Sequence, residues 1–124
     1  ASLIAGCYDL TMTPSARHFH ERLILTTRDV RLFAASFVQG HADLHDPDVS
    51  PLYADLRGLP PALFTIGTRD ALLDDSLFMA AKWVQAGNAA DLAVWPGGAH
   101  VFVAFPCTLT DKALTRIDAF LNAH

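Results

Sequence analysis

No run of lysine or arginine occurs in this sequence, and its formal net charge is −4. Nucleic acid and anionic membranes are therefore not expected targets, because neither would find a cationic footprint. Charge of either sign is sparse: Asp, Glu, Lys and Arg make up 18% of the 124 residues, against a usual share of about 25%. Every apolar stretch is broken by Asp, Arg, Gly or Pro well before the roughly 20 residues that a membrane span needs. No basic segment leads into an apolar one at the N-terminus, so nothing marks the chain for export. The two cysteines, Cys7 and Cys107, have neither C-x-x-C nor zinc-ligand spacing. They read as buried, reduced thiols of a cytoplasmic protein, with a Cys7–Cys107 disulfide as the open alternative. Internal repeats and low-complexity segments are absent as well.

What is present is apolar. Hydrophobic residues reach 52% and the mean hydropathy is +0.26, high values for a short chain that must keep its surface in water. One domain is expected, burying roughly 65% of the surface its unfolded form exposes. The apolar excess also predicts a partner surface.

Residues 2–8 form a short apolar run without lead-in, turn or cap, and read as a buried strand separated from its neighbour. Loop chemistry follows from Asp9 to Pro14. A helix is predicted from Thr27, its cap, with Val30, Phe33, Ala34, Phe37 and Val38 at helical spacing and Gly40 ending it. A polar, proline-broken loop covers 41–51, and Pro60-Pro61 sets an extended entry to the next element. Ala62-Leu-Phe-Thr-Ile-Gly67 reads as strand. A helix bearing Leu77, Phe78, Ala81 and Val84 follows, capped by Asp74 or Asp75 and stopped by Gly87. Asp91–Trp95 is a third strand, with a sharp turn at Pro96-Gly97-Gly98, and a last helix runs from about Leu109 to Asn122. Strand, helix, strand over 62–95 implies a parallel pair. The fold class is α/β: about three parallel strands with flanking helices, and an excursion at 11–50 suited to a lid or binding surface.

In open parallel sheets, ligand-facing side chains sit just past the carboxyl ends of the strands. Asp70 lies three residues past Gly67 and His100 five past Trp95, so neighbouring strands would deliver both to one edge. A carboxylate accepting the imidazole Nδ1 proton leaves Nε2 free as a base, which is the chemistry of an orienter and a base. The bland alternatives are a surface histidine in a glycine-rich turn and an aspartate serving as a helix cap. Asp74 and Asp75 compete as the acid but suit the helix N-terminus better. His41 and His45, with Asp43, Asp46 and Asp48, have the residue types of a metal site, but Pro47 and the loop composition favour a solvated turn, so no metal is expected. His18 and His20 read as surface or pocket lining, and Cys107 as a packed thiol.

Three segments together carry a family resemblance: Ser50 to Gly67, the cluster Asp70-Ala-Leu-Leu-Asp-Asp75, and Val94-Trp-Pro-Gly-Gly-Ala-His-Val-Phe102. They resemble the C-terminal half of the hormone-sensitive-lipase-like esterases, a branch of the α/β-hydrolase fold, with similarity over essentially the whole chain. The resemblance implies that 2–10 corresponds to the sixth strand and its exit, 11–50 to part of the cap, and the later strands to the seventh and eighth. It carries Asp70 over as triad acid from a D-x-L-x-D-E-like motif, and His100 as base from an H-x-F motif that includes Phe102. It further implies acyl esters of short or medium chain length as substrates, Phe33, Phe37 and Phe102 as apolar substrate contacts, and no cofactor.

The departures are as informative. The family's nucleophile sits in a G-x-S-x-G elbow and its oxyanion hole in an H-G-G-G-like loop, both upstream of the sixth strand. Neither motif occurs here, and Ser2, Ser15, Ser36, Ser50 and Ser76 all lie outside any glycine-flanked elbow. The leading expectation is thus the acid–base portion of a serine carboxylesterase or lipase, inactive as an isolated chain. The rival is a truncated, non-catalytic hydrolase domain acting as an interaction module. Either way the bare first strand predicts pairing, with a missing N-terminal half or with another copy in an oligomer.

Overall fold

The computed structural model describes residues 1–39 and 43–124. Three parallel strands, β1 (Ser2–Ile4), β2 (Ala62–Arg69) and β3 (Ala90–Ala99), form one sheet in the order β1-β2-β3. β2 is the middle strand, and its first six residues are buried. That run is apolar on both faces because both are covered. Phe64 packs with Met79, Ala80 and Trp83 of α3 (Leu73–Gln85). Leu63, on the opposite face, packs with Ala93 and with Ile117 of α4 (Thr108–Ala123). The period-2 alternation of the strand thus sends successive side chains to two different helices. Phe64 and Trp83 meet edge to face at 5.6 Å, and the indole N–H of Trp83 donates to the Pro60 carbonyl at 3.1 Å.

Between β1 and β2 lie α1 (Pro14–His18), α2 (Thr27–Phe37) and a 3₁₀ turn at Pro51–Tyr53. Proline at the first position of α1 suits a helix start, since its missing N–H would be unpaired there anyway. The expectation of plain loop after Asp9 overlooked this. α2 opens on a capping box: the Thr26 hydroxyl accepts from Asp29 N, and the Asp29 carboxylate accepts from Thr26 N at 3.0 Å. The cap is therefore Thr26, while the Thr27 hydroxyl donates to the Ala16 carbonyl at 2.8 Å. Gly40, expected to end this helix, and His41 lie outside the described residues.

Four further expectations are corrected. β1 spans three residues rather than seven, because Ala5 turns into the left-handed region at φ 48°. Pro96-Gly97-Gly98 does not turn the chain; it stays in β3, and a register shift between Gly67 and Arg69 absorbs the irregularity. Neither Asp74 nor Asp75 caps α3, whose N-cap position is Leu72 without a side-chain cap bond. Cys7 and Cys107 are exposed free thiols rather than buried ones. Cys7 falls on the irregular exit of β1 and Cys107 occupies the N-cap position of α4, and both are surface positions.

The tightest packing is at the carboxyl edge of the sheet. A Cβ on Gly67 would lie 2.0 Å from the Gly98 carbonyl oxygen, whereas one on Gly58 would meet nothing. Gly67→Ala is expected to cost about 3 kcal/mol through forced strand separation. Gly58→Ala, strained only by its φ of +76°, should cost about 1 kcal/mol. Thermal unfolding followed by circular dichroism checks the order; equal losses would refute it.

Candidate active site

Asp70 directly follows β2 and is 2% exposed. Its Oδ1 accepts from the Leu72 amide at 2.9 Å, closing a small side-chain turn that fixes the carboxylate as the chain enters α3. His100 follows β3, and its Nδ1 stands 3.0 Å from Asp70 Oδ2 and 3.2 Å from Oδ1. The two are 30 residues apart in sequence and meet because β2 and β3 are parallel neighbours. With Nδ1–H donated to the carboxylate, Nε2 is the nitrogen left to act as acceptor.

The turn that presents His100 is strained. Val101 sits at φ 45°, ψ 36°, a left-handed conformation that a β-branched residue seldom adopts. It sends the chain into a 3₁₀ turn at Phe102–Ala104. Phe102 is 7% exposed, packs on Trp95 with ring centroids 6.3 Å apart, and would clash with any Cβ on Gly98. Its carbonyl accepts from the Thr110 hydroxyl at 2.9 Å. Phe102 thus props the His100 turn from beneath β3 and lies outside the cavity lining described next.

His100 and Leu72 form one wall of a cavity of about 490 Å³. α2 contributes Val30, Phe33 and Phe37 to the lining, and the exit of β1 contributes Cys7 and Leu10. Phe33 and Phe37 remain 67% and 65% exposed, so the cavity is open on the α2 side. Cys7, Leu10 and Leu72 carried no sequence signal for this role, since each reaches the cavity only through tertiary folding. Arg69, beside Asp70, is ion-paired with Glu21 and so ties the segment between α1 and α2 to the end of β2. The bond from Arg69 holds the Glu21 carboxyl below its ordinary range.

The remaining candidates separate from this site. His45 is exposed, with Nδ1 3.3 Å from Asp43. Among the described residues no group of three or more His, Cys, Asp or Glu could hold a metal ion. His18 and His20 are exposed. Among the described residues no helix is long and apolar enough to cross a membrane.

With that geometry in view, comparison with known proteins gives a consistent answer. Residues 1–104 match the family model for the alpha/beta hydrolase fold. The chain belongs to this α/β-hydrolase family. An acetyl-hydrolase of Streptomyces hygroscopicus is 34% identical over 102 residues, covering 81% of this chain and 34% of that protein. An esterase of Acinetobacter venetianus is 30% identical over 125 residues, covering 98% of this chain and 41% of the esterase. Among solved structures, EstE5 from crystals soaked in ethyl alcohol superposes with a TM-score of 0.91 at 31% identity, over 99% of this chain and 43% of that one. A hormone-sensitive lipase from a metagenome library gives a TM-score of 0.91 at 29% identity, over 98% of this chain and 43% of the lipase. The chain therefore spans between about a third and two-fifths of the length of these curated relatives. The resemblance to the hormone-sensitive-lipase-like branch, seen first in three sequence segments, is the fold relationship as well.

The two thiols of this α/β-hydrolase chain should behave differently. Although Cys7 is exposed as a residue, the groups packed around its sulfur partly withdraw it from water, and this desolvation, followed by the nearby Asp75 carboxylate, pushes its thiol up to about 12. The Cys107 thiol is instead lowered, by the Thr110 hydroxyl and then by its backbone amide. Since the thiolate is the nucleophile, iodoacetamide at pH 8 should alkylate Cys107 more than about tenfold faster than Cys7. Peptide mass spectrometry over time measures the ratio, and equal rates would contradict it.

Proposed function

We propose that this chain supplies the acid and base of a serine carboxylic-ester hydrolase, Asp70 orienting His100. The observation that carries the reading is the contact of the His100 ring with both oxygens of a buried carboxylate at the C-terminal edge of a parallel sheet. The names of the relatives support an ester substrate: besides the acetyl-hydrolase and the esterase, an ethyl acetate hydrolase of Pseudomonas putida is 30% identical over 114 residues. Small acyl esters of short or medium chain suit the apolar walls around His100, with Phe33 and Phe37 on the cap side.

In this scheme His100 Nε2 takes the proton of a serine hydroxyl as its oxygen attacks the ester carbonyl. It then returns the proton to the departing alcohol, leaving an acyl-enzyme. Water activated by the same nitrogen releases the acid. Asp70 keeps the reactive tautomer and stabilises the imidazolium formed in each half-reaction. Proton and acyl transfer need only side chains, so no cofactor enters the scheme. The nucleophile and oxyanion donors lie outside these 124 residues, a reading supported by the missing elbow and by the absence of any serine bonded to His100 among the described residues. A cytoplasmic setting fits the two unpaired thiols.

A second reading, a non-catalytic interaction module, draws on β1. It lies at one side of the sheet with Ile4 38% exposed. Such an edge pairs readily with another strand, from an upstream segment or a second copy.

The test is p-nitrophenyl acetate and butyrate hydrolysis by the longest natural polypeptide that contains these residues. His100→Ala and Asp70→Ala should each lower kcat on the order of 10⁴-fold with the fold intact. The 124 residues alone should take no fluorophosphonate label. Full activity of His100→Ala would remove the dyad from the mechanism, and labelling of the 124-residue chain would place a nucleophile within it.

A further inference from the structure

Asp75 is 0% exposed, yet it takes no part in the chemistry above. It lies in the first turn of α3, five residues past Asp70. Its Oδ1 accepts from the Tyr8 amide at 2.7 Å and the Asp9 amide at 3.0 Å, and its Oδ2 accepts from the Thr13 hydroxyl at 2.7 Å. All three donors belong to the exit of β1, more than 60 residues away in sequence. The adjoining residues continue the seam. Asp74 Oδ2 accepts from the Ser15 amide at 2.7 Å, and the Ser15 hydroxyl donates to the Ala71 carbonyl at 2.8 Å while accepting from Asp74 N at 3.0 Å.

This seam bears on Asp70 directly. The Leu72 amide that holds the Asp70 carboxylate belongs to the same short stretch whose Ala71 and Asp74 are tied to Ser15 of α1 and whose Asp75 is tied to the β1 exit. A carboxylate is the side chain for this junction, since one oxygen can accept two convergent amides while the other accepts a hydroxyl. Resting on the reading of Asp70 and His100 as acid and base, we propose that Asp75 is a positioning residue: it ties the β1 exit to the first turn of α3 and thereby holds Asp70 against His100. It touches neither substrate nor reacting atoms.

The groups around Asp75 fit a structural anchor rather than an ion pair. Its donors are neutral, and the nearby titratable groups are Asp9, Cys7 and Tyr8, with no cation among them. Burial first, and the Asp9 charge in addition, hold its carboxyl above the ordinary range against the pull of its three hydrogen bonds.

The experiment follows His100 in the 124-residue chain by NMR with nitrogen-labelled histidine, reading its titration midpoint and the low-field Nδ1 proton shared with Asp70. Asp70→Asn calibrates the dyad: it should shift the midpoint down and abolish the low-field proton. Asp75→Ala should shift the midpoint in the same direction and broaden or lose that proton. Asp75→Asn, which removes the charge but keeps an oxygen for the Tyr8 and Asp9 amides, should retain both signals. Ile117→Ala, a cavity on the far side of the sheet, should lower Tm without moving either. If Asp75→Ala fails to fold, Thr13→Val, which removes one of the three bonds, takes its place with a smaller shift in the same direction. The proposal is overturned if the folded variant leaves His100 unchanged, if Asp75→Asn shifts it as far as Asp75→Ala, or if Ile117→Ala shifts it equally. An unchanged His100 in Asp70→Asn would instead overturn the reading of the dyad itself.

Discussion

The backbones of Gly67 and Gly98 lie so close that neither position has room for a side chain. The rest of the C-terminal edge depends on that contact. It lets β3 carry its irregular stretch, pairing Gly67 with Trp95 but Arg69 with Ala99, without leaving the sheet. The extra residues of β3 swing His100 back over the end of β2, where Asp70 emerges. A bulge used in this way re-aims a side chain, and it needs glycine on both strands to close. Phe102, lodged against Gly98 and Trp95, then holds the turn from below at the expense of a left-handed Val101.

A second set of constraints is polar. The loop after β1 has little regular hydrogen bonding of its own, and buried amides must find partners. Asp75 serves Tyr8 and Asp9, Ser50 accepts from the Leu10 amide at 2.8 Å, and the Tyr8 carbonyl accepts from Leu52 N at 2.9 Å. The same bonds that satisfy this loop place Cys7 and Leu10 in the wall of the cavity facing α2. Satisfying a buried backbone and shaping a pocket are here one arrangement.

Much of this was legible in the residues. The apolar run at 62–67 and the periodicity of α3 and α4 are strong local signals, and the structure contains all three elements. Asp70 and His100 stood out because each follows a strand. The failures were also local. Proline and glycine at 96–98 ordinarily signal a turn, but pairing with β2 kept them in the strand. Asp74 and Asp75 had the right chemistry for helix caps, but α1 and the β1 exit, both distant in sequence, claimed their oxygens instead. The apolar context of Cys7 and Cys107 suggested burial, which the short β1 and the N-cap position of α4 did not provide.

Sequence by itself determined the parallel α/β architecture, the helices flanking the sheet, and the placement of Asp70 and His100 just past two strands. These depend on periodicity and on local backbone preferences, which act over a few residues. Only tertiary structure decided that Asp70 and His100 touch, that Phe102 packs beneath the His100 turn while Phe33 and Phe37 line the cavity, and that Asp75 bonds across to the β1 exit. Those outcomes depend on strand register and on competition among distant groups for the same hydrogen bonds, and neither is encoded in any short stretch of chain.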